Sequence, residues 1–311
     1  MDTRQNKLFL SDIVKMDFPL SVYEEIQYVI SLAHPDFDFT LLTKVFQDTI
    51  TLYSGNYPGY KPCNTHYHDL KHTTDVMLAL ARILHGAHVA GLSFSAEHIS
   101  LALISSLLHD TGYIQLEDEH SCFGGYCSNV RVERSIEFLK NYFIRNNLEL
   151  RNLMTCKELI TCTDQNQAIK GKLFSSKETE TLGMMLGTAN ILGQLADRTY
   201  IEKLLFLFME LNEVSKLHHR SELNFLKNSL VYFEESKEQL LDELGDVKRF
   251  LTHHFRARWS IEYDMYMDAV ERNVNYLDHL TKNHEKDYRD KLKRGGLLKK
   301  LSTLEAESVD H

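Results

Sequence analysis

Proline occurs four times in 311 residues, and no long segment shows the strict apolar-polar alternation that a half-buried strand leaves. Extended structure has little support, and few residues would interrupt a helix. No apolar run reaches the ~18 residues of a membrane span, so no membrane-embedded segment is expected. The cysteines, Cys63, Cys122, Cys127, Cys156 and Cys162, are odd in number and form no C-x-x-C pair, which argues against a disulfide framework and a thiolate zinc site. Excess positive charge is also lacking. A formal net charge of -9 disfavours nucleic acid and anionic membrane as partners, because both are bound by clustered Lys and Arg. The opening segment MDTRQNKLFLSDIVKMDF has charges throughout and no small-residue cleavage site, so a cytoplasmic protein is expected.

What the chain does have is apolar residues at three-and-four spacing along most of its length, which predicts an all-α helical bundle. Helices are expected near 22–33, 38–53, 72–85, 96–110, 133–146, 150–162, 178–196, 199–215, 221–241 and 245–281. Ser95 reads as the N-cap of one of them, with Glu97 favoured in its first turn by the helix dipole and Gly112 as its terminator. Residues 1–282 read as a single domain, and 283–311, highly charged and broken by Gly295 and Gly296, as a loosely attached helix and tail.

Sixteen histidines are present, and their spacing carries more information than their number. His66, Tyr67, His68, Asp69, Leu70, Lys71 and His72 put three histidines within seven residues, after a loop holding Gly55, Pro58, Gly59 and Pro62. The pair His109-Asp110 follows 37 positions after His72 and closes an apolar helix. Neutral imidazole with carboxylate suits a divalent metal such as Mg, Mn, Zn or Fe.

At these residues the chain resembles a known family. The stretch YHDLKHTTDV is similar to the Y-H-N-x-x-H-A-x-D-V signature of class I cyclic nucleotide phosphodiesterases, and LISSLLHDTGY resembles the helix bearing their His-Asp pair. The resemblance covers about residues 60–215 and implies an HD/PDEase-like helical bundle, a metal-dependent phosphohydrolase acting on a nucleotide or cyclic nucleotide phosphoester. It makes His72, His109 and Asp110 metal ligands, His68 the acid that protonates the leaving oxygen, and Asp75 a residue orienting a ligand histidine. Asn190 falls where relatives carry a fourth ligand, an Asp, and an amide oxygen there brings no charge. Arg131 aligns with a second-metal histidine and could hold a substrate phosphate, with Tyr67 and Gln194 as further substrate contacts. Helical relatives often dimerise, which leaves a homodimer open.

The departures at Asn190 and Arg131 support a second reading, a degenerate HD scaffold acting as a nucleotide sensor or protein-binding module. Three further readings stay structural. His85 and His88 are taken as surface residues, Asp164 as a helix-terminal Asp, and Asn190, Gln194 and Asp197 as a polar seam on one helical face.

Overall fold

The segment LKHTTDVMLALARILHGAHV is apolar around most of its circumference, a pattern that demands neighbours on every side. In the computed structural model, which describes residues 8–119, 130–164, 167–215 and 221–309, this segment is the central helix and is buried without a break from His72 to Ala87. The described residues form α1 (Leu10–Ile13), α2 (Pro19–Ala33), α3 (Thr40–Tyr53), α4 (Leu70–Val89), α5 (Ala96–Leu108), α6 (Arg131–Arg145) and α7 (Arg151–Thr161). They continue as α8 (Lys177–Leu195), α9 (Tyr200–Ser215), α10 (Glu222–Asp242), α11 (Arg249–Trp259), α12 (Met265–Asn283), α13 (Tyr288–Lys291) and α14 (Leu297–Val309). No strand occurs among them, so the protein is all-helical; an isolated bridge joins Tyr60 and Leu116. No helix among the described residues is long and apolar enough to cross a membrane.

Helices α2, α5, α8 and α11 surround α4. Gly86 sets the approach of α11, since a Cβ there would lie 1.8 Å from the carbonyl oxygen of Phe250. The helix therefore runs through Gly86, and His85, read from sequence as a surface residue, is buried, with its Nδ1 3.1 Å from Nδ1 of His254. His88, one turn further on, is exposed. The single helix expected over 245–281 is two, because Ser260 adopts the left-handed conformation (φ 55°) and Asp264 caps the next helix by accepting from the backbone N–H groups of Tyr266 and Met267. The charged C-terminal segment is anchored rather than loose: Leu292 and Leu301 are buried, and Arg294 donates from its backbone N–H to Glu202 and from Nη1 to Asn273. Cys63, Cys156 and Cys162 are unbridged thiols, whereas Cys122 and Cys127 lie outside the described residues.

A buried charge network locks the N-terminus of α4 to the junction of α8 and α9. Lys71 Nζ lies 2.5 Å from Asp75 and 3.2 Å from Asp197, while Lys203 Nζ lies 3.0 Å from Asp69 and 3.2 Å from Asp197. Burial alone would raise the pKa of Asp197, but the two ammonium groups outweigh it and hold the carboxyl well below its usual range. Removing one member of a buried ion pair costs about 3–5 kcal/mol, because the partner charge stays buried. Asp197→Asn should therefore lose about that much stability at pH 7 in urea unfolding. A group with a depressed folded-state pKa stabilises above its unfolded value and loses that contribution as pH falls, so the gap between native protein and variant should narrow from about pH 5 downward.

Candidate metal centre

His72 and Asp110 come from different helix ends, and two capping devices fix them. Asp69 accepts the backbone N–H of His72 at 2.9 Å as N-cap of α4, and its carboxylate is held by Lys203. Ser95 caps α5 as expected, accepting the backbone N–H of His98 at 3.1 Å, and α5 ends at Leu108 with His109 as C-cap. Gly112 does not terminate the helix. It lies in a 3-10 turn, Thr111–Tyr113, where the start of α6 approaches so closely that a Cβ would stand 2.0 Å from the carbonyl oxygen of Arg131. Ser135 stitches the turn, accepting from Gly112 N–H at 2.9 Å and donating to His109 O at 2.7 Å.

The consequence is a cluster of His72, His109 and Asp110, whose ligand atoms all lie within 4.8 Å of one another and which are 2% exposed or less. Asp110 Oδ2 stands 3.3 Å from Nε2 of both histidines, yet none of these three enclosed atoms has a hydrogen-bond partner. The tautomer of His109 explains its share. Its Nδ1 is 2.8 Å from the carbonyl oxygen of Ser106, which can only accept, so Nδ1 carries the hydrogen and Nε2 turns a lone pair toward the centre. Burial depresses the pKa of His72, keeping it neutral. Burial would raise that of Asp110, but the guanidinium of Arg131 beside it holds the carboxyl well below the carboxylate range. The Nε2 atoms of the two histidines and one oxygen of the carboxylate, none of them hydrogen-bonded, make a donor set that fits a divalent cation.

Arg131 occupies the far side of the carboxylate. Its Nη1 donates to Asp110 Oδ1 at 2.7 Å and its Nη2 to the carbonyl oxygen of Thr163 at 2.7 Å. Asn190 Nδ2 donates to the same carbonyl at 3.3 Å, and Asn190 Oδ1 accepts from Gln194 at 3.4 Å. Asn190 is thus linked to the cluster through Thr163 and Arg131, with its amide oxygen turned to Gln194. Asp75, expected to orient a ligand histidine, instead bonds Lys71 on α4. Asp197 lies beyond the end of α8 in the charge network, so the seam keeps Asn190 and Gln194 and loses Asp197.

A cavity of about 540 Å³ opens beside the cluster, and Tyr67, His68, Tyr113, Arg131, Asp164 and Gln194 all line it. His68 stacks on Tyr113 at 4.1 Å, its Nε2 is 3.4 Å from the Tyr113 hydroxyl, and its enclosed Nδ1 has no partner. His66 sits outside this group, its ring 5.0 Å from that of Phe206. Sequence reasoning missed Ser106, Ser135 and Thr163, which orient the cluster from α5, α6 and the end of α7, and Tyr113, which stacks on His68 from the 3-10 turn. Isolated hydroxyls and carbonyls leave no periodic signal.

An all-helical scaffold thus carries a buried His-His-Asp cluster that could hold a metal ion. Residues 56–233, more than half of the chain and every site residue named above, match the Npun_R2479-like family, to which the chain belongs. No curated protein and no solved structure matches the chain.

Two results should follow. Each enclosed polar atom without a partner costs about 1–3 kcal/mol, so an ion that satisfies three of them should stabilise the fold. At a hundredfold excess over its dissociation constant the gain is about 2.7 kcal/mol, read as a rise in Tm of about 5 °C that His109→Ala removes. Gly112→Ala should push α6 and Arg131 off the cluster and weaken metal affinity by about tenfold or more, measured by titration, as disturbing outer-shell partners does.

Proposed function

We propose that this protein is a metal-dependent phosphohydrolase whose metal is held by His72, His109 and Asp110. The observation that carries the reading is the convergence of three buried donor atoms without hydrogen-bond partners, next to Arg131, which lines a cavity. The likeness of YHDLKHTTDV and LISSLLHDTGY to the phosphodiesterase signature supports it, and puts the chain in the HD/PDEase-like class as part of the same proposal. A divalent ion in this position supplies a Lewis acid for a phosphoryl oxygen and lowers the pKa of water.

The chain's own residues then have defined tasks. Arg131 is fixed by Asp110 and Thr163 on the cavity wall, so its remaining N–H groups are held in place to donate to the phosphoryl group. His68 is kept neutral by burial, which drives its pKa well below the usual value. The negative charge of a bound phosphoryl group raises that pKa and lets the ring deliver a proton to the departing oxygen. Tyr113, stacked on the ring, holds it in place. Tyr67 and Gln194 face the organic part of the substrate.

A second reading, a metal-binding sensor without turnover, is favoured by one observation: the Asn190 amide is bonded to Thr163 and Gln194, leaving a single carboxylate in the donor set. Hydrolysis assays with Mg, Mn, Zn and Fe separate the two. The enzyme reading predicts metal-dependent phosphate release that falls by about 100-fold or more in His68→Ala while the bound metal is unchanged. Full metal occupancy with no release from any phosphoester would favour the sensor.

A further inference from the structure

The cavity beside the cluster is aromatic and poor in positive charge. Tyr67, Tyr200 and Leu204 are buried in its wall, and Leu207, Phe225 and Tyr232 continue the lining. Among the described residues of that lining Arg131 is the one cation, and Asp110 balances its charge. Glu133 and Asp164 add negative charge to the wall. Among the described lining residues a ligand with several phosphates would find no second basic group and would meet two carboxylates. The charges at the cluster point the same way. Arg131 cancels Asp110, so a divalent ion leaves a surplus that one phosphoryl group neutralises. The hydroxyl of Tyr200, enclosed and without a partner, offers one polar contact to an otherwise apolar guest.

Resting on the phosphohydrolase reading, we propose that the substrate is a single-phosphoryl ester of an aromatic or apolar alcohol, and that nucleoside triphosphates are excluded. In the reaction water oxygen bonds to phosphorus, the phosphorus–oxygen bond to the organic group breaks, and a proton passes to the leaving alcohol. No redox partner is needed. The cavity's volume of about 540 Å³ accommodates a fused aromatic ring beside the phosphoryl group.

The test uses the full-length, metal-loaded protein with the metal in excess. Calorimetry compares 1-naphthylphosphonate, which cannot be hydrolysed, with methylphosphonate and adenosine triphosphate at physiological salt. The expected result is tenfold or more tighter binding of the naphthyl compound than of either competitor, lost by tenfold or more in Leu207→Glu. Equal or tighter binding of adenosine triphosphate or methylphosphonate overturns the proposal, and because it is read on the native chain it does not depend on how the variant folds. Turnover of 1-naphthyl phosphate is measured in parallel. Selective naphthyl binding without turnover supports the aromatic pocket and contradicts the hydrolase, whereas turnover favouring adenosine triphosphate keeps the hydrolase and contradicts the pocket.

Discussion

The carboxylate of Asp110 joins everything that surrounds it. One oxygen faces the Nε2 atoms of His72 and His109, and the other accepts from Arg131. Through His72 it depends on the capped start of α4, through His109 on the stitched turn after α5, and through Arg131 on the first residue of α6. Three helix termini therefore meet at one carboxyl group. Helix ends are where backbone groups lack intrahelical partners, so a cluster built there needs the caps and side-chain bonds that Asp69, Ser106 and Ser135 supply.

Arg131 gives the centre its particular character. A guanidinium never loses its proton, so it is a fixed positive charge where a histidine would be an adaptable ligand. It shares the Thr163 carbonyl with Asn190, and Asn190 shares its amide with Gln194, so one polar chain runs from the cluster to the cavity wall. Burial raises the cost of every unmade contact along that chain, which holds the donor atoms in place without a ligand. The charge network of Lys71, Asp75, Asp197 and Lys203 secures the same end of α4 from the opposite side.

Much of this was legible in sequence, for identifiable reasons. The helical content followed from periodicity and few prolines, and α3, α5, α7 and α8 fall within two residues of the expected spans at every end. His72, His109 and Asp110 were found because three histidines within seven residues and a His-Asp pair closing an apolar helix are unusual local patterns. Long-range geometry was not legible. Asp75 stands four positions after Lys71, a spacing that does pair charges on one helix face, but its closeness to Asp197 through Lys71 was not legible. Ser260 in the left-handed region splits one expected helix, a conformation that serine seldom adopts and that sequence gives no reason to expect. Gly112 looked like a helix terminator, yet its lack of a side chain serves the contact with α6. His85 looked like a surface residue because its partner, His254, is 169 positions away.

On the proposed function, the three converging donor atoms hold one cation. Anomalous diffraction from crystals grown with manganese or zinc, collected on either side of the metal absorption edge, tests it most directly. One anomalous peak per chain is expected, about 2.0–2.3 Å from His72 Nε2, His109 Nε2 and an oxygen of Asp110, with Arg131 still on the carboxylate. A map without a peak there, or with two peaks and Arg131 displaced, would contradict it.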